Sequence, residues 1–166
     1  MSAVNHPKIG LCLDTFQIAG GEYGDPCSSS RIIFDRGLQQ KLEMNFSQSL
    51  AELSAIVPSE KIYLLQISDA YKPPAPFRDE EDENGMRPRG RWSHDFRPYP
   101  FKGGYLPVVQ VAKAVLETGV RDAWLSMEVF DGGRNGKWEE KRDLGEFCKG
   151  AMRSHLKVLD ECADAP

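Results

Sequence analysis

A continuous apolar run ending in a carboxylate, Lys8-Ile9-Gly10-Leu11-Cys12-Leu13-Asp14-Thr15-Phe16-Gln17, constrains this chain more than any other feature. A strand covered on both faces reads as an unbroken hydrophobic run, because neither side of it meets water. In parallel α/β folds the C-terminal tips of such strands carry the active site. Two later stretches repeat the design. Lys61-Ile62-Tyr63-Leu64-Leu65-Gln66-Ile67-Ser68-Asp69 ends in an amide and an acid, and Ala123-Trp124-Leu125-Ser126-Met127-Glu128-Val129-Phe130 ends near a glutamate.

Between these runs the period changes. Ser47 to Ile56 places Leu50, Leu53 and Ile56 on one helical face, and Val57-Pro58 ends it. The segment Arg31 to Met44 is weakly patterned. Pro107 to Gly119 reads as a helix with proline in its first turn and glycine just past its end. A final amphipathic helix spans 144–162, with Phe147, Met152, Leu156 and Leu159 as its apolar stripe. The order β-loop-α-β-long loop-α-β-α predicts a parallel α/β arrangement. At 166 residues it suits one domain with a substantial core.

Two loops interrupt the pattern. Gly20 to Ser30 is polar and rich in glycine and serine. Residues 71–104 show neither helical nor strand period; prolines open the segment, the acidic patch Asp79 to Glu83 follows, then Arg87, Arg89 and Arg91. The charge runs read as a solvated face, while Trp92, Phe96, Tyr99 and Phe101 are candidate anchors for the second half. A loop this long in a compact domain is usually a lid or wall of an active site, or else disordered. The turn-rich Asp131 to Gly136 lacks the glutamate at position twelve that a calcium loop needs, so an EF-hand is rejected.

The net charge of −4 provides no footprint for nucleic acid or an anionic membrane, and no apolar run approaches the roughly 20 residues that span a bilayer. Cys12, Cys27, Cys148 and Cys162 show no CxxC pairing and read as reduced thiols. Met1 to Pro7 lacks a basic start followed by an apolar middle, so a cytoplasmic location is expected.

Asp14, Gln66 and Glu128 are hard oxygen donors in the same strand-end setting, and that set suits Mg²⁺ or Mn²⁺ better than a thiolate-loving metal. A cation is one way to hold several carboxylates at the edge of an apolar core. The alternative is that Asp14 and Glu128 cap neighbouring helices or pair with arginines.

Four motifs, in order along nearly the whole chain, resemble the xylose-isomerase-like TIM-barrel superfamily: Leu11 to Gly20, Leu65 to Ala70, Gly103 to Val108 and Trp124 to Phe130. Within it the chain is most similar to the fungal-type 3-dehydroshikimate dehydratases of quinate catabolism. That resemblance implies a (β/α)₈ barrel with one divalent metal at its C-terminal mouth, Mg²⁺ or Mn²⁺ or else Co²⁺. It implies that Asp14, Gln66 and Glu128 are the ligands from strands five, six and eight, and that Arg97 holds the substrate carboxylate. Gln17 and Asp69 would tune the mouth as catalytic residues. Gln17 stands where several members carry a histidine, and an amide cannot act as a base near neutral pH. The chain would be the C-terminal half, strands five to eight, of a barrel of about 250 residues. Strands one to four and a fourth metal ligand would be missing.

The implied reaction is dehydration of 3-dehydroshikimate to protocatechuate. A sugar isomerase or epimerase of the same superfamily, and a non-catalytic half-barrel, are the competing readings. An endonuclease-like site needs several histidine ligands, and His6, His94 and His155 lie in poor contexts for one. The open sheet edges of a half-barrel lead to an expected homo-oligomer or a complex with a complementary N-terminal half.

Overall fold

The computed structural model describes residues 6, 8–33, 39–138 and 143–163. The first apolar run forms β1 (Leu11–Asp14), and helix α1 (Thr15–Glu22) starts at once behind it. Asp14 itself forces the switch. In extended conformation its carboxylate accepts the main-chain N–H groups of Phe16 and Gln17, an N-cap that starts the helix three residues before the apolar run ends. Gly20 and Gly21, expected in a loop, are therefore helical.

Helix α2 (Gln39–Ile56) begins eight residues before the expected helix and takes in part of the weakly patterned segment; residues 34–38 of that segment fall outside the described residues. A short 3₁₀ turn at Ser59–Lys61 leads into β2 (Ile62–Ile67). The long excursion contains α3 (Pro88–Asp95) and β3 (Phe96–Arg97); α4 (Val108–Glu117), β4 (Trp124–Met127), β5 (Phe130–Asp131) and α5 (Leu144–Ala163) complete the chain.

The sheet is parallel, in the order β1-β2-β4. Three parallel strands are present among the described residues, not the four expected. The segment in the expected third position is β3, which pairs antiparallel with β5. Pro98 and Pro100 follow β3 directly, and proline has no N–H to donate to a parallel ladder. Instead the excursion folds on itself: the N–H of Asp69 bonds the Pro98 carbonyl (2.9 Å) and that of Tyr71 the Phe96 carbonyl (2.8 Å).

Two apolar clusters share helix α4. Ala112 and Val115 face Ile62, Leu65 and Ile67 of the sheet together with Val158 of α5. Val111 and Ala114 face a larger cluster of Phe16, Phe46, Leu50, Tyr71, Trp92 and Phe96. Residues 71–104 divide as expected, with a solvated charge run and an anchored second half. The second half is largely built into the core through Trp92, Phe96 and Arg97, while the charged stretch and much of its surroundings, Lys72, Pro74, Arg78 and Arg87 among them, lie in water. Of the expected anchors, Trp92 and Phe96 are buried, whereas Phe101 is 44% exposed.

Helix α5 corrects the expected stripe. Its buried residues are Gly150, Ser154 and Val158, while Met152 and Leu156 are exposed. Small residues win because the helix runs close to the 99–100 corner. Gly150 lies against the Tyr99 hydroxyl with no room for a Cβ, and the Ser154 hydroxyl donates to the Pro100 carbonyl (2.7 Å).

Candidate functional site

In the parallel register Asp14 pairs with Gln66 and Gln66 with Ser126. Glu128 lies two residues beyond Ser126, so the 2.0-residue period of a strand returns its side chain to the same face. Asp14, Gln66 and Glu128 therefore meet on one side of the sheet, lining a cleft of about 920 Å³ together with Cys12, Gln17 and Arg97. The opposite wall is α3 and its approach: Met86, Arg87, Arg89, Ser93 and His94.

Arg97 is the centre of the floor. Its side chain is 2% exposed; Nη2 donates to Asp14 Oδ2 (2.6 Å) and forms an ion pair with Glu128 Oε2 (2.5 Å). Nε donates to the Ser68 hydroxyl (2.6 Å), and the guanidinium lies over the Phe16 ring at 4.9 Å. The position of Ser68 is itself tied to β1. Thr15 donates its hydroxyl to the Ser68 carbonyl (2.7 Å) and accepts the Ser68 N–H (2.9 Å). The strand ends are thus cross-linked immediately below the carboxylates.

The capping and arginine pairing weighed from sequence are what the structure shows. Asp14 caps α1 and pairs with an arginine, Glu128 pairs with the same arginine, and the three oxygen donors still converge. Asp14 and Glu128 share one guanidinium on the floor, while Arg87 and Arg89 line the facing wall, so a cation here would rest on the two carboxylates against the positive charge opposite. The donors are hard oxygens from neighbouring strand ends, so by type they fit a divalent ion. Arg97 stands against two of the three, so an ion and the guanidinium compete for the same carboxylates. Among the described residues no group of three His, Cys, Asp or Glu side chains converges; the third donor is the Gln66 amide, which accepts the Cys12 thiol hydrogen (3.3 Å). Burial, with the Asp14 and Glu128 charges adding to it, pushes the Cys12 thiol up, which keeps its proton on sulfur for that bond.

Gln17 lines the cleft from α1. Its main-chain carbonyl accepts Arg89 Nη2 (2.9 Å), and Arg89 Nη1 donates to the Gly20 carbonyl (2.5 Å). Burial pulls the Arg89 guanidinium below its ordinary value, and the Asp14 charge opposes that. The sequence places Arg89 in a solvated charge run, because nothing in the periodicity brings α3 across onto α1.

Asp69 is not among the residues that line the cleft. Its Oδ1 accepts the main-chain N–H groups of Ala70 (2.7 Å) and Leu106 (2.9 Å), and Gly104 packs on the carboxylate with no space for a Cβ. It ties the end of β2 to the turn before α4. Burial pushes its carboxyl from the usual 3.8 up to about 6, against the lowering effect of the Ala70, Leu106 and Tyr105 amides. A carboxyl raised in the folded state binds its proton more tightly there than in the unfolded chain. Its contribution is fully present below about pH 4 and is lost as the pH rises through about 6. Asp69→Asn cannot ionise, so denaturant unfolding should show wild type losing stability relative to this variant across that interval. A constant difference between the two curves would contradict the burial assigned to this carboxyl.

The family model described as xylose isomerase-like TIM barrel matches residues 1–148. The chain is similar to a 3-dehydroshikimate dehydratase of Neurospora crassa, 31% identical over 137 residues. That match covers 77% of this chain and 35% of that protein, so the chain spans about a third of the curated relative's length. Its fold is similar to that of a xylose isomerase-like TIM barrel/4-hydroxyphenylpyruvate dioxygenase fusion protein (TM-score 0.61, 22% identity, 97% of this chain and 18% of that one). It is also similar to that of the IOLI protein, whose structure carries a zinc atom (TM-score 0.52, 20% identity, 99% of this chain and 42% of that one).

Proposed function

We propose, from the premise that this chain belongs to the xylose isomerase-like TIM-barrel family, that it supplies the metal-binding strand ends of a 3-dehydroshikimate dehydratase-type lyase, the last strands of such a barrel. The observation that carries this reading is the meeting of Asp14, Gln66, Glu128 and Arg97 in one cleft. The similarity to the Neurospora crassa dehydratase supports 3-dehydroshikimate as the substrate. A divalent ion, Mg²⁺, Mn²⁺ or Co²⁺, held by Asp14, Gln66 and Glu128 would supply Lewis-acid polarisation of the ketone oxygen.

The remaining work falls to the chain's own groups. Arg97 has the planar fork that matches a carboxylate, and it is already oriented by Ser68 and Phe16. Arg89, fixed on α1, adds positive charge to the same wall. Gln17 orients a substrate hydroxyl by hydrogen bonding. Phe130, Ile18 and Met86 give the cleft its apolar lining. The rest of the barrel would come from a complementary half or a second copy. Support for that is the uncovered sheet face in which Cys12 pairs with Leu64 and Leu64 with Trp124, the last 80% exposed.

Pure 166-residue chain supplied with Mn²⁺ should convert 3-dehydroshikimate to protocatechuate, and Glu128→Gln should lower the rate at least about 100-fold by removing a charged donor. Equal rates in the two proteins would refute the assignment of Glu128. Turnover of a keto-sugar panel in place of 3-dehydroshikimate would assign an isomerase or epimerase instead.

A further inference from the structure

The strand ends hold no group suited to take a proton from carbon. Asp14 accepts a hydrogen bond from Arg97, Glu128 is ion-paired with the same guanidinium, and Gln17 and Gln66 are amides. The facing wall holds one. His94, at the end of α3, lines the cleft with its side chain 58% exposed. Its Nδ1 lies 3.0 Å from Asp95 Oδ1. An ionised carboxylate only accepts, so this contact places a hydrogen on Nδ1 and leaves the Nε2 lone pair open.

The carboxylate is held in turn. Trp138 Nε1 donates to Asp95 Oδ1 (3.0 Å), and the Gly132 N–H donates to the Asp95 carbonyl (2.8 Å). The imidazole stacks on Phe130 with centroids 6.0 Å apart and planes at 15°, and Trp138 meets it edge-on at 6.4 Å. Phe130 also lies 6.0 Å from the Arg97 guanidinium, so one ring links the histidine to the floor of the cleft. A base oriented by a carboxylate, which is itself fixed by a third group, is the arrangement that general-base catalysis requires.

We infer that His94 is the proton acceptor of this cleft and Asp95 the residue that positions it, an inference that rests on the lyase reading above. Nε2 takes the proton from the carbon α to the substrate ketone. The C–H bond breaks, an N–H bond forms, and the electron pair moves onto the carbonyl oxygen as an enolate. That pair returns to form a new C=C bond as the C–O bond to the β-hydroxyl breaks. The proton on Nε2 goes to the departing hydroxyl, so water leaves and the neutral imidazole is regenerated. The resulting dienone tautomerises to the aromatic product.

The test follows exchange of the α-proton of 3-dehydroshikimate in D₂O, alongside release of protocatechuate, using the Mn²⁺-supplied chain. His94→Ala should slow exchange by about 100-fold or more while protocatechuate binds within about twofold of wild type, and added imidazole should restore exchange at least about tenfold. His94→Asn provides the same test in a variant that retains a polar side chain at that position. Asp95→Asn should lower kcat about tenfold or more with KM little changed, a split that loss of folding alone would not produce. Exchange in His94→Ala at the wild-type rate, or no exchange by wild type, would overturn the inference. Exchange by wild type without release of protocatechuate would refute the dehydratase reading and leave His94 as the base.

Discussion

Replacing Arg97 with methionine lowers the melting temperature of the metal-free chain by roughly 10 °C, and excess Mn²⁺ recovers most of the loss. Removing one partner of a buried ion pair costs about 3–5 kcal/mol, because the other charge stays buried and unpaired. Here one guanidinium serves two carboxylates, but Glu128 is 30% exposed on its side chain, so the lower end of that range applies. For a chain of this size each kcal/mol shifts the midpoint by about 2–4 °C. Methionine keeps most of the apolar stem over Phe16 and so separates charge from packing. The recovery by metal is the sharper half of the prediction. If the ion and the guanidinium compete for Asp14 and Glu128, the variant binds Mn²⁺ more tightly than wild type, and saturation stabilises it by mass action. An unchanged midpoint, or a loss that Mn²⁺ leaves untouched, would show that the two carboxylates are not a shared cation site.

Trp92→Ala should be the most damaging single truncation outside that site, costing about 4 kcal/mol. Trp92 is 0% exposed, packs against the tilted Phe16 ring with centroids 4.8 Å apart, and donates Nε1–H to the Tyr71 carbonyl (2.9 Å). Alanine empties the space between α1 and α3 and leaves a buried carbonyl without its donor. Since α3 carries Arg89 and His94, ligand binding in the cleft should weaken as well. The control is Trp124→Ala, the same truncation at a residue 80% exposed, expected to change stability by less than about 0.5 kcal/mol. Comparable losses in the two variants, measured by denaturant unfolding, would mean that the excursion is not part of the core.

The strands and the last two helices were legible in the chain because each carries a local period. The apolar runs around Leu13, Leu65 and Leu125 became parallel strands, and the proline–glycine frame around 107–119 became α4. The errors have a common cause. α3 and β3 have no periodicity of their own; they are ordered by Trp92 and Phe96 entering a cluster assembled from α1, α2 and α4. The stripe assigned to α5 failed because close approach to Tyr99 and Pro100 selected Gly150 and Ser154 over larger apolar residues. Asp69 carries the same strand-end signature as Asp14, yet it turns to the Leu106 amide instead of the cleft.

By itself the sequence determined the parallel α/β order and the alignment of Asp14, Gln66 and Glu128, since both follow from unbroken apolar runs and from a side-chain period of two residues along a strand. Tertiary structure alone decided what faces those donors. Arg97 reaches Asp14 across 83 positions of chain, and His94 and Arg89 arrive on a helix held by aromatic packing. Hydrophobic periodicity encodes which face of an element is buried; it carries no information about which distant loop will be packed against its end.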